Sequence, residues 1–305
     1  METTVNLPLS SRQRLSAAGQ PMLASGYGRR RFVQGAGFAL LWAAAGLTVG
    51  LLAIVIGYIF VRGLPGLSWR FLVTAPEGGL SGGGGISTTI VTTAYLVLLT
   101  LAIATPLGSG AALYMSEYAG DSLGLQIVRF GVEMLAGVPS IVFGLFGYAL
   151  FVTRMHFGFS LLSASLATAA LVLPVVIRTA EESLQAVPRD LREASLALGT
   201  TKWQTIWGVV LPSALPGMLT GVILSAGRIV SETAVLYVTL GGSSLLPRNI
   251  MDGGRTLALH LFYLATETNA PVSKQMATGV VLIALILLIN FSTNWLGRKW
   301  KAKTL

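Results

Sequence analysis

The sequence predicts an all-α fold, a polytopic membrane bundle of six transmembrane helices. Three observations predict it. Of 305 residues, 53% are hydrophobic and only 11% are charged, and the mean hydropathy is +0.72. A soluble domain of this size carries about 25% charged residues and has no core able to absorb so much apolar surface. The apolar residues fall in six runs near the ~20 residues that crossing a bilayer requires. The basic residues, which set a net charge of +9, gather at alternate junctions between those runs.

The first run, 34–61, is too long for a signal-peptide core and lacks a following cleavage site, so it is expected to remain as a span. Residues 1–33 form a basic tail whose Ser, Gly, Gln and Pro content predicts disorder. Residues 62–86 make a Gly-rich outer loop. Further spans are expected at about 87–115, 127–152, 160–178, 214–239 and 276–296. Residues 87–297 thus read as one transmembrane domain with a cytoplasmic loop at 179–212, and 298–305 as a basic C-terminus. Six spans put both termini on one side. Arg29, Arg30 and Arg31 before the first span, Arg298, Lys299 and Lys301 after the last, and Arg189, Arg192 and Lys202 between the fourth and fifth place that side in the cytoplasm. Trp295 and Trp300 suit interface anchors. Pro106, Pro139 and Pro174 interrupt three spans, as kinks for packing or for motion. Gly46/Gly50 and Gly217/Gly221 permit close helix approach.

Several chemistries are excluded or carry no signal. The chain has no cysteine, hence no disulfide or thiolate site. His156 and His260 are its two histidines, too few for a histidine metal site. There is no phosphate-binding G-x-x-x-x-G-K-[ST] loop and no H-E-x-x-H. A G-x-S-x-G match at Gly79–Gly83 arises from a glycine run and reads as a flexible linker, because it has neither a flanking strand nor a histidine partner. The positive charge is explained by membrane anchoring, not by nucleic acid. No cofactor or metal is expected on this chain, and it is not expected to be an enzyme.

The loop 178–217 has its own local logic. Pro188 suits a helix's first turn. Leu191, Ala194, Ser195 and Leu198 recur at spacings of three and four, which places them on one face. Gly199 stops that helix, and Thr201-Lys202-Trp203-Gln204 fits the capping box of a second. Pro212 and Pro216 are expected to disrupt the chain before the fifth span. A helix–glycine–helix knob of this kind suits a docking element or, equally, a connector lying on the lipid surface.

The run Glu193-Ala194-Ser195, then Gly199, Val209 and Leu211-Pro212 resembles the "EAA" loop of ABC-importer permeases, with serine for the second alanine and valine for isoleucine. The stretches 104–119, 130–151, 173–203 and 227–239 extend the likeness to the PstA-type subunits of phosphate importers. The resemblance implies a type I permease fold and a coupling knob, formed by Arg192, Glu193, Ala194, Ser195, Leu198, Gly199, Leu211 and Pro212, that docks on a separate ATPase. It implies as partners a second, PstC-like permease, a homodimeric PstB-like ATPase that holds ATP and magnesium, and an extracytoplasmic PstS-like phosphate-binding protein, in a bacterial inner membrane. The basic N-terminal tail has no counterpart in that expectation.

Arg228 and Glu232 stand four residues apart inside the fifth apolar run. On a helix they share a face. A lone charge at the bilayer centre costs about 2.5–3.5 kcal/mol on insertion scales, so such residues are functional by default. They can form a structural pair, or Arg228 can offer its donor fork to a passing oxyanion, or Glu232 can hold Arg228 between turnovers. The resemblance puts Arg228, Glu232 and the neighbouring Thr233 on the substrate path. Arg178 reads as an anchor at the cytoplasmic end of span four or as a release-side path residue, with Glu133 as a partner. Rival readings are a permease for molybdate, sulfate or phosphonate, a phosphate-sensing signalling component, and a self-sufficient secondary transporter.

Overall fold

The computed structural model describes the backbone of residues 24–77, 82–120 and 122–301. Residues 1–23 of the expected tail, Ser81 of the glycine-run match, the side chains of Trp295 and Trp300, and residues 302–305 lie outside what it describes.

The described chain is helical, with no strand beyond two isolated bridges. Its main helices are α1 (Ala24–Gly63), α2 (Trp69–Val73), α3 (Ser87–Leu113), α4 (Leu123–Ala136), α5 (Ser140–Gly147) and α6 (Leu161–Gln185). They are followed by α7 (Arg189–Ala197), α8 (Lys202–Thr205), α9 (Leu211–Ser231), α10 (Ala234–Thr239), α11 (Leu257–Thr266) and α12 (Val272–Lys301). Among the described residues five helices are long and apolar enough to cross a membrane, or six if the bent pair α4 and α5 is one span. The chain divides into two compact units, 1–58 and 59–305. The described part of the first is residues 24–58 of α1.

Within the second unit α6 is the central helix. Small residues let its neighbours approach. Gly108 of α3 lies against Val176, and Gly147 of α5 lies against Ala167. On α9, a side chain at Gly217 or Gly221 would overlap Ser183 or Thr179 of α6. The main core joins α3, α6, α9, α10 and α11 through Leu96, Val172, Ile229, Leu236 and Leu259. A second cluster, Ala112, Leu184, Val187, Val210 and Met218, closes the bundle where α3 and α6 end.

Two expected spans differ from a single rod. The third is broken, with α4 and the helix of 140–154 meeting at 101°. Gly137 and Pro139 flank the break, and a proline disfavours the α conformation in the residue before it, here Val138. The fifth begins earlier than expected and ends earlier. Residues 202–231 run as one helical stretch, so Pro212 and Pro216 do not disrupt it. A wider π turn at Ile206–Val210 precedes Pro212, which then falls in the first turn of α9, where a missing N–H costs least. Pro106 and Pro174 likewise lie inside continuous helices.

Candidate functional site

Two charged regions stand out on the bundle formed by residues 59–305, and the direction of α6 separates them. Its C-terminal end leads into the knob. Its N-terminal end meets residues 239–252, through the N–H groups of Ser160, Leu161 and Leu162 donating to Thr239, Asp252 and Ile250.

The knob forms as expected. Pro188 is the N-cap residue of α7, one place before the first turn, and Gly199 follows the helix with φ +82°. Thr201 and Gln204 complete the reciprocal capping box of α8. The expected single face is divided, however. Leu191, Ala194 and Leu198 are exposed, Leu198 by 85%, while Ser195 turns inward. The reason is polar: Ser195 Oγ lies 2.9 Å from Thr200 Oγ1 and 3.0 Å from Thr205 Oγ1, which closes the knob on itself. Glu193, Leu196, Trp203 and Trp207 share the outer surface with the leucines. Leu211 packs into the cluster at the ends of α3 and α6, and Pro212 is exposed.

Arg192 does not project from the knob with Glu193. Its guanidinium turns back and donates to the carbonyls of Val187 at 2.5 Å and Leu184 at 2.7 Å, and to Glu117 Oε1 at 3.0 Å. Lys202 Nζ donates to the Glu117 carbonyl and sits 4.7 Å over the Tyr118 ring. A cavity of about 630 Å³ lies here, lined by Ser116, Glu117, Arg129, Gln185, Arg189 and Arg192 among others. Beside it, Arg129 of α4 pairs with Glu181 of α6 at 2.6 Å. Glu117 escaped the sequence reading because the carboxylate lies in a π turn at the end of α3, far in sequence from the loop it holds.

Arg178 pairs with Glu182 on its own helix at 3.0 Å, not with Glu133. Both partners are well exposed, so the pair is weak in water. Glu133 and Arg178 do line one cavity of about 290 Å³ with Glu181 and Glu182.

Arg228 and Glu232 do not form the structural pair that is one of the three readings. The spacing i, i+4 brings side chains together only on a continuous helix. Here α9 ends at Ser231, and Glu232 is extended, with ψ 135°. Its carboxylate, in a residue only 8% exposed, accepts from the N–H groups of Thr233 at 3.2 Å and Val235 at 3.4 Å. Glu232 therefore caps α10, whose free N–H groups favour a negative charge. Arg228 is left exposed on α9.

At the opposite end Arg255 donates to the Gly242 carbonyl at 2.8 and 2.5 Å, approaches His260 Nδ1 at 3.4 Å, and stacks on Tyr263 at 4.2 Å. Burial lowers the Arg255 pKa. His260 sits in α11, which is too short to cross a membrane. Burial, with the charges of Arg255 and Lys274 adding to it, pushes His260 down to about 3, so the ring is neutral. Among the described residues no group of His, Asp and Glu side chains could hold a metal ion.

Residues 104–302 match the family described as "Binding-protein-dependent transport system inner membrane component". The chain belongs to that family. The matched segment contains the knob, Glu117, Arg178, Arg228 and Glu232. The family is one of multi-pass transport components, in keeping with the apolar helices. The chain is 34% identical to the "Probable ABC transporter permease protein YqgI" of Bacillus subtilis over 83% of its length and 91% of the relative's. It is also 34% identical to the "Phosphate transport system permease protein PstA" of Xylella fastidiosa, over 88% of its length and 93% of the relative's. Among solved structures, a chain of a bacterial ABC transporter involved in alginate import superposes with a TM-score of 0.57 at 17% identity, covering 88% of this chain and 99% of that one. At that identity the likeness establishes the type I importer fold alone.

Proposed function

We propose that the chain is one of two permease subunits of an ATP-driven importer of inorganic phosphate in a bacterial inner membrane. The observation that carries the cargo is the match along nearly the whole chain to a phosphate transport permease. Both termini lie in the cytoplasm on this reading. The knob, with its exposed Leu191, Leu198 and Trp203, docks on a separate homodimeric ATPase that holds ATP and magnesium. Glu193 offers that ATPase a charged contact. A PstC-like subunit completes the path, and a PstS-like protein delivers phosphate from outside.

Phosphate near neutral pH carries between one and two negative charges and needs a positive partner to enter a low-dielectric path. Exposed Arg228 supplies a planar fork of donors matched to a tetrahedral oxyanion. Glu232, held as a cap just beyond it, keeps a negative charge near the path without occupying the guanidinium, so that an anion is attracted and not trapped. Thr233 opens the helix that follows. Arg178, loosely paired toward the knob end of α6, meets the anion on release on this reading.

The test is reconstitution of the four kinds of subunit in vesicles. Phosphate, with its binding protein, is expected to stimulate ATP hydrolysis and enter the lumen, and sulfate and molybdate are not. Equal stimulation by all three anions would remove the phosphate assignment. Arg228→Ala should lower phosphate entry at least tenfold, about the rate effect of 1.4 kcal/mol. Entry at the wild-type rate would take Arg228 off the path.

A further inference from the structure

We infer that Glu117 and Arg192 form a strut that carries movement of the knob directly into α3, which makes Glu117 a positioning residue for coupling. The inference rests on the import function proposed above. The knob is joined covalently to α6 through residues 186–188 and to α9 through the helical stretch 202–231. Any displacement of the knob reaches those two helices along the backbone. It has no such route to α3, whose end lies 75 residues away in sequence from Arg192. Beside the apolar packing of Ala112 with Val187 and Val210, what joins them is polar. Arg192 bonds the Glu117 carboxylate at 3.0 Å, and Lys202, at the start of α8, bonds the Glu117 carbonyl and covers the Tyr118 ring.

The pair sits where such a part would need to be. Glu117 and Arg192 side chains are 10% and 20% exposed, enough to strengthen the attraction over that of a surface pair. They border the cavity of about 630 Å³ and are not sealed in apolar packing, so the joint has room to pivot. Adjacent residues of α7 divide the work. Glu193 faces out from the knob, and Arg192 faces in, with three acceptors held by one guanidinium: two carbonyls at the end of α6 and one carboxylate at the end of α3. One side chain thereby fixes the knob relative to both helices. A lysine would replace it only in part, because an ammonium keeps the charge but lacks the planar fork.

The experiment uses the whole transporter, with ATPase and binding protein, in vesicles. It compares wild type with Glu117→Gln, Arg192→Lys and the exchange Glu117→Arg with Arg192→Glu. Two quantities are read: the ATPase retained on purification, and cargo taken up per ATP hydrolysed. Glu117→Gln should keep the ATPase bound and lower uptake per ATP about tenfold, the scale of one lost charge-assisted bond. Arg192→Lys should fall less, and the exchange should regain part of the loss. Wild-type uptake per ATP in Glu117→Gln overturns the strut. So does a fall in uptake that only follows loss of the ATPase, since that marks simple fold support. If the wild-type complex moves another anion and not phosphate, the functional reading fails, while the ratio for that anion still decides the strut.

Discussion

The two ends of the bundle of residues 59–305 are fastened by different chemistry. At the knob end the ties are ionic: Glu117 with Arg192, Arg129 with Glu181, and Arg178 with Glu182. These are the three ion pairs among the described residues. At the opposite end the ties join side chains to backbone groups. Asp252 accepts from the N–H groups of Arg248 and Asn249, both at 2.9 Å, and Thr93 accepts from Leu257 N at 2.9 Å. Gly241 and Gly242, at φ +87° and +72°, fold the chain against Phe159 and Tyr263. Even Arg255 there serves a carbonyl and not a carboxylate. A bond held to the backbone at one end has a narrow range of good geometry. Charged side chains on long stems can exchange partners at modest cost, because the Coulomb term changes slowly with distance. The difference assigns adjustment to one end and constancy to the other.

The largest test of that contrast is at the knob tip. Leu198→Asp puts a charge on a residue that is 85% exposed. Folding should be untouched, with a melting temperature within a degree or so of wild type, as for most exposed sites. Retention of the ATPase on copurification should fall at least tenfold, the effect of about 1.4 kcal/mol. Full retention would favour the alternative in which the knob lies on lipid.

Next comes the packing that both ends share. Gly221→Val drives a branched side chain into Thr179, which itself bonds the Val175 carbonyl at 2.7 Å. Overpacking of this kind costs about 1–3 kcal/mol. The melting temperature of the purified protein should drop by several degrees, about 2–4 °C per kcal/mol. No drop would mean that α9 and α6 separate easily, and the knob end would then be loose in its helices as well as in its charges.

How much of this was legible beforehand follows from the range of the forces. The class, the long apolar helices and the knob were legible, because hydropathy, glycine stops and capping boxes act over a few residues. The turn at Gly199 and the cap at Thr201 came out as read. The pairings did not. Arg228 and Glu232 look like partners by spacing, but the helix ends between them. Arg178 looked toward Glu133 and found Glu182 one turn away. Arg192 is grouped with Glu193 among the expected knob residues, and its side chain bonds Glu117, a contact that no local pattern announces. Pro212 and Pro216 were read as breakers because the π turn that accommodates Pro212 leaves no mark in the sequence.

A smaller effect distinguishes the constant end by pH. The folded pKa of His260 is about 3, depressed from an ordinary 6.5. The unfolded chain therefore takes up a proton that the folded chain refuses. Its contribution is full above 6.5 and is lost as pH falls toward 3, with a slope of at most about 1.4 kcal/mol per pH unit. Melting temperature should be flat from pH 7 to 8 and decline below 6.5, and His260→Gln should flatten that decline. An unchanged profile in the variant would mean that the ring is hydrated and the opposite end is less closed than its bonds suggest.

The smallest effect is expected from Ser195→Ala, which restores the alanine of the resembled loop pattern. Removing Oγ leaves Thr200 and Thr205 within 3.0 Å of each other, and Thr200 still donates to the Ser195 carbonyl at 2.8 Å. No buried group is orphaned, so the cost should stay near the net value of one hydrogen bond, about 0.5–1 kcal/mol. A melting-temperature loss of roughly 1–4 °C with normal ATPase retention is the expected result. Loss of ATPase binding from this change alone would mean that a hydroxyl cluster inside the knob sets its docking shape. The knob would then be built in the manner of the opposite end, and the division between an adjustable end and a constant one would not hold.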